Sequence, residues 1–68
     1  MAEGVVIKFN EKTGTGMARP DDGGKDLFVH RDYIVVDKTE KGLAVGRRIR
    51  FVVGRGYRGP KAKEIEVL

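Results

Sequence analysis

At 68 residues the chain has room for one domain and little for a buried catalytic cleft, because a domain this small buries only ~60% of the surface its unfolded chain exposes. It has no cysteine and a single histidine, which excludes disulfides and thiolate zinc sites and leaves too few ligands for a protein-only zinc or copper centre, so no metal or other cofactor is expected. The 14 Lys and Arg against 10 Asp and Glu leave a formal charge of +4, a balance that favours polyanion partners.

No apolar run approaches the ~20 residues that span a bilayer. The start, Met1-Ala2-Glu3-Gly4, lacks the basic-then-apolar pattern of an export signal. A cytoplasmic protein with no membrane partner is therefore the expectation, formed as one domain over residues 1–68.

Residues 4–10 (GVVIKFN) are rich in Val, Ile and Phe and bounded by Gly and Asn, as a first strand should be. Val5, Val6 and Ile7 are consecutive, so alternation alone does not settle which face is buried, and a bulge would change the phase. Residues 11–14 read as a polar turn, and 15–19 (TGMAR) as a second strand. The run from Arg19-Pro20 to Gly23-Gly24 closes a hairpin, with Pro20 ending the ladder and Asp-Gly-Gly supplying residues that tolerate positive φ.

A third strand follows at 25–30 (KDLFVH). Its alternation directs Leu27 and Val29 into a core and sets Asp26, Phe28 and His30 together on the opposite face. An aromatic ring and an imidazole sharing an exposed strand face suggest a binding surface. Residues 31–46 show no clean period; a short turn of helix near 32–34 and then an exposed loop are expected, and a connection this long is usually functional or mobile.

Residues 48–53 (RIRFVV) alternate, with Ile49, Phe51 and Val53 one way and Arg48, Arg50 and Val52 the other. Residues 54–60 (GRGYRGP) read as a basic, glycine-rich loop resembling arginine-glycine segments that contact RNA. A last strand at 62–67 (AKEIEV) points Ile65 and Val67 inward and Glu64 and Glu66 outward. Five short strands with glycine-rich turns and no convincing helix make a small all-β barrel.

Charge is distributed unevenly: from Arg47 onward seven basic residues stand against Glu64 and Glu66 alone. Gly14-x-Gly16 is not a phosphate loop, since no Lys-Ser or Lys-Thr follows. Asp21, Asp22 and Asp26 lack the spacing of a calcium loop and read as turn residues. With no nucleophile, base and orienting group in sight, an enzyme is not expected. Val5, Ile7 and Val52 are candidates for outward-facing apolar residues, in keeping with a monomer or weak homodimer.

From end to end these residues resemble the bacterial cold-shock domain family. Its first motif, lysine-glycine-phenylalanine-glycine-phenylalanine, is matched by Thr13-Gly14-Thr15-Gly16-Met17, and its second, phenylalanine-valine-histidine-phenylalanine, by Phe28-Val29-His30-Arg31. The family's tail corresponds to Gly59-Pro60-Lys61-Ala62. The resemblance implies a five-stranded antiparallel OB-fold barrel that binds single-stranded RNA or DNA on the face of its first three strands, and an RNA-chaperone role.

The departures fall on that face. Lys8 stands where the family has a tryptophan, Thr15 and Met17 replace two stacking phenylalanines, and Arg31 replaces the last ring of the second motif. Base–aromatic stacking contributes about 1–3 kcal/mol per base, so these losses shift the site from stacking toward charge.

The resemblance and the alternation together nominate Phe9, Phe28 and His30 as stacking groups. Lys8, Lys12, Arg19, Arg31, Arg58 and Lys61 become phosphate contacts, and Asn10, Thr15, Met17, Asp26 and Tyr57 complete the surface. The competing expectation is a cold-shock-like barrel that has lost most nucleic-acid binding and serves as a protein-interaction module.

Overall fold

A computed structural model describes residues 2–57 and 59–68. Among these described residues six strands form in chain order: β1 (Ala2–Asn10), β2 (Thr15–Pro20), β3 (Leu27–His30), β4 (Ile34–Asp37), β5 (Arg48–Gly56) and β6 (Gly59–Val67). A single 3₁₀ turn, Arg31–Tyr33, separates β3 from β4. The architecture is the expected all-β barrel of the OB type. Antiparallel pairing runs β3-β2-β1-β5-β6, and a parallel contact between Phe28 of β3 and Lys61 of β6 closes the ring.

β4 is a short strand that the aperiodic reading of 31–46 did not foresee. It lies parallel to the C-terminal half of β6, pairing Ile34 with Ile65 and Asp37 with Val67. The same edge of β6 thus serves β3 first and β4 afterwards. The change of partner falls at an irregularity: the β5–β6 register shifts between Arg50 and Val52, and opposite it Glu64 takes a left-handed φ of 48°. The extra β6 residue bends the strand while keeping Ala62, Ile65 and Val67 all inward and fully buried.

The structure also corrects the reading of β5. Ile49 and Phe51 are buried as alternation predicts, but Val53, although it shares their side of the strand and pairs with the buried Ala62, is 55% exposed. The glycine-rich basic segment is mostly ladder rather than loop, since Arg55 pairs with Pro60 and Gly56 with Gly59. The third strand starts at Leu27 rather than Lys25.

The core is Val6, Ala18, Leu27, Val29, Ile49, Phe51, Ala62, Ile65 and Val67 from the barrel strands, with Leu43 added from the β4–β5 connection. Leu43 is 3% exposed, so this connection is not the wholly exposed loop that its composition suggests. Asp37 organises it. Its Oδ1 accepts from the Thr39 amide (2.9 Å), the Thr39 hydroxyl (2.6 Å) and the Glu40 amide (3.0 Å), and its Oδ2 accepts from the Gly42 amide at 2.6 Å. One carboxylate satisfying several loop donors leaves the chain positioned to drop Leu43 onto the barrel end.

A second charged cluster fastens the β1–β5 side. The Arg48 guanidinium holds Asp21 through Nη1–Oδ1 at 2.9 Å and Nη2–Oδ2 at 2.6 Å and reaches Glu3 at 3.4 Å, while Arg50 lies 3.9 Å from Glu3. The outer face of β5 is basic in sequence, yet Arg48 and Arg50 are paired with acids.

Two carboxyls are held below the ordinary aspartate value of 3.8: Asp37 chiefly by the Thr39 hydroxyl, with the Gly42, Thr39 and Glu40 amides adding, and Asp21 chiefly by its hydrogen bond from Arg48. In each case partial desolvation opposes the shift. A carboxyl whose folded value is depressed stabilises the fold fully above its unfolded value and loses that contribution as pH falls through the folded one. Thermal midpoints should therefore fall as pH drops below 3.8. Asp37→Ala should melt below the parent at neutral pH, with the gap closing in acid; a gap that persists at low pH would mean that the carboxylate charge is not what holds the loop.

Candidate nucleic-acid interface

The outer face of β3 is as the alternation predicts: Leu27 and Val29 are buried, and Phe28 and His30 face outward. Cross-strand register extends this face into rows. Lys8 pairs with Met17, Met17 with Phe28 and Phe28 with Lys61, so one line of side-chain positions runs over β1, β2, β3 and β6 with a cation at each end. The neighbouring line is Asn10, Thr15 and His30. Residues directly opposite on one face of a sheet lie close enough to act together.

This phase depends on two local features. The β1–β2 register shifts between Val6 and Lys8, with Ile7 as the extra residue. Without it, a buried Val6 would put Lys8 inward and Phe9 outward. The bulge reverses them, so Lys8 is exposed and Phe9 is partly buried and packed against the core.

Phe9 is thus separated from Phe28 and His30, beside which the sequence reading placed it as a stacking ring. Gly16, opposite Phe9, is the second feature: a Cβ there would strike the Lys8 carbonyl oxygen, so β1 and β2 approach this closely only with glycine.

Phe28, His30, Tyr33, Gly56, Tyr57, Gly59 and Lys61 enclose a shallow depression of about 210 Å³. His30 is oriented within it, because its Nδ1 accepts the Asp32 amide at 3.0 Å. That bond assigns the proton of the neutral imidazole to Nε2, leaving Nε2–H as the free donor. The Asp32 carboxylate also lies 3.6 Å from Nδ1, but the backbone bond occupies that nitrogen as an acceptor. Lys61 donates to the Tyr33 hydroxyl at 3.2 Å, with its Nζ 4.7 Å from the ring centroid.

The remaining nominated residues divide. Tyr57 stands exposed at the tip of the β5–β6 hairpin on the rim of the depression. Lys12 is exposed in the β1–β2 turn, its amide bonded to the Asn10 side chain at 2.9 Å, and the Thr15 hydroxyl is 2.7 Å from that of Thr13. Arg19 faces Asp26 at 3.5 Å on the flank of the row.

Arg31 is structural as well as cationic. Its amide bonds the Gly14 carbonyl at 2.9 Å and its Nη1 the Glu11 carbonyl at 3.0 Å, so it clamps the β1–β2 turn. A Cβ on Gly14, whose φ is +74°, would meet the Arg31 side chain. Arg31 borders a separate depression with Phe9, Glu11 and Lys41 rather than the one at Phe28. Arg58 lies outside the described residues.

Tyr33 is the aromatic residue of this depression that the sequence motifs do not nominate. A usable signal was present. In a 3₁₀ turn, positions three apart fall on the same side, and Tyr33 follows His30 by three; the two rings meet edge to face at 6.1 Å and 74°.

Among the described residues no cluster of side chains fit to hold a metal ion is found, and no helix is long and apolar enough to cross a membrane.

Comparison with known proteins agrees with this geometry. The chain matches the 'Cold-shock' DNA-binding domain family over residues 2–68. It is 41% identical over 68 residues to cold shock-like protein CspA of Bordetella pertussis, covering 100% of both chains. It is 43% identical over 65 residues to cold shock-like protein CspA of Vibrio cholerae, covering 96% of this chain and 91% of that one. To cold shock-like protein CspE of Escherichia coli it is 41% identical over 66 residues, with 97% and 94% covered.

The His30 assignment has a direct check. In a long-range ¹H–¹⁵N spectrum of the neutral imidazole, the proton should reside on Nε2 with Nδ1 bare; a protonated Nδ1 would dismiss the bond from the Asp32 amide.

Proposed function

This chain belongs to the cold-shock domain family, and from that premise we propose that it binds single-stranded RNA or DNA on the outer face of β1, β2, β3 and the adjoining end of β6. The observation that carries this reading is the Lys8–Met17–Phe28–Lys61 row, which sets an outward-facing, half-buried ring between two cations with His30 in the next row. Phosphates are drawn by Lys8, Lys12 and Lys61, with Arg31 at the border, while bases lie on Phe28 and His30. Met17 contributes a polarizable apolar surface where a ring would stack more strongly.

Because this face is poor in rings, charge takes a larger share of the binding free energy. The paired arginines of β5 leave that work to the cations of the row and the turn. The biological role that follows is RNA chaperoning in the cytoplasm, in which occupied single strands are kept from re-forming secondary structure. No reaction is assigned to the face. The protein works in this reading as a monomer or weak dimer, which equilibrium sedimentation would check.

A second reading, a protein-interaction barrel, is favoured by one observation: Phe9 turns toward the core, leaving Phe28 and His30 as the surviving rings of the two family motifs on the outer face.

Titration of a labelled oligopyrimidine over a range of salt separates the two. Four cations at Lys8, Lys12, Arg31 and Lys61, at about 0.7 per neutralised phosphate, give an expected slope of log K against log salt of roughly −3. Lys8→Ala should make that slope shallower by about 0.7. Phe28→Ala should leave the slope alone and weaken binding by about 1–3 kcal/mol. Absence of binding at low salt would rule out the nucleic-acid reading and favour the interaction module.

A further inference from the structure

Tyr33 has no part in the hydrophobic core, nor is it among the partly buried residues packed against it. It is 38% exposed, yet it is held from several directions. The 3₁₀ turn presents it, His30 meets it edge to face, and Lys61 donates to its hydroxyl at 3.2 Å with its Nζ 4.7 Å from the ring centroid. A surface tyrosine with this many restraints and no core to support is arranged for something outside the fold. Its neighbours in the depression are Phe28, His30 and Tyr57.

We propose that Tyr33 is a base-contacting ring of this interface, held at its hydroxyl end by the Lys61 ammonium in the free protein and released when Lys61 exchanges it for a backbone phosphate. The proposal rests on the nucleic-acid reading given above and deepens it. A cation–π contact at an exposed site is weak, so phosphate competes with the ring for Lys61 on favourable terms. The exposed ring is then free to meet a nucleobase, which stacks on aromatic planes whatever its identity.

Tyr33 in this way restores some of the stacking surface absent at Thr15, Met17 and Arg31. It does so from the turn after β3 rather than from a strand. Lys61 plays two successive parts: it holds the Tyr33 hydroxyl in the free state and contacts phosphate in the bound one. No covalent step is involved.

The chain has two tyrosines and no tryptophan, so Tyr57→Phe leaves Tyr33 as the sole emitter while keeping a ring at the hairpin tip. Titrating that variant with an oligouridylate, with binding followed independently by anisotropy of a label on the RNA, should quench Tyr33 emission in step with binding. In the same background Tyr33→Ala should lower affinity roughly 5- to 150-fold with the salt slope unchanged. Tyr33→Phe, which keeps the ring and loses the bond to Lys61, should stay within about twofold, against the roughly 5-fold minimum for losing a stacked ring. Lys61→Met should make the slope shallower by about 0.7 and leave quenching intact.

Binding without quenching, together with indifference to Tyr33→Ala, would overturn the role of Tyr33 and leave the interface standing on Phe28 and His30. No anisotropy change at low salt would overturn both. Should Tyr33→Ala fail to fold, quenching in the tyrosine-bearing variant still decides.

Discussion

The parallel contact between Phe28 and Lys61 closes the barrel, and much else depends on it. A sheet that fails to close exposes the backbone groups of its end strands, a liability for a domain with so small a core. Closure here requires one edge of β6 to serve two partners, β3 near Lys61 and β4 from Ile65 onward. The left-handed Glu64 between them is the local distortion that permits the change, and the inward positions on either side of it stay buried. The contact that seals the fold is also the one that brings the Lys61 ammonium beside Tyr33 and the outer face of β3. Fold and interface share a joint.

Charge is divided between two ends of the molecule according to task. Arg48 and Arg50 face the outside of β5, where Glu3 and Asp21 bind them to the first strand and the hairpin turn. Exposed pairs of this kind contribute little to stability, but they remove those arginines from the count available to an anion. The cations at the candidate interface are arranged differently. Lys8 and Lys61 end a row that holds Met17 and Phe28, and Arg31 serves first as a clamp on the β1–β2 turn. A formal charge of +4 alone does not distinguish the two sets.

Strands with a clean period were legible because burial selects one face and the pleat does the rest. β3 is the clearest example: Leu27 and Val29 are inside and Phe28 and His30 outside, as read. Where another strand sets a residue's surroundings, the reading failed. The bulge at Ile7 keeps Lys8 outward as expected but turns Phe9 toward the core, and Val53 stays exposed although it lies on the side of Phe51 and Ala62. β4 was invisible because its pairing is with a segment some thirty residues later, and Val35 and Val36 face solvent. Tyr33 went unnoticed because its partners come from β3 and β6, while its immediate neighbours Asp32 and Ile34 mark nothing.

The sequence by itself determined that this is an all-β domain without thiol chemistry, where its turns fall, which face of β3 is buried and which family its motifs resemble. Those properties follow from composition, from side-chain alternation and from glycines whose positions tolerate no other residue. Tertiary structure alone decided the phase of β1 beyond Val6, the pairing of Arg48 and Arg50, the burial of Leu43 and the meeting of Tyr33 with Lys61. Each of these depends on contacts between distant strands, where one extra residue in a ladder reverses every side chain after it. A local pattern carries no record of the partner across the barrel that sets the register.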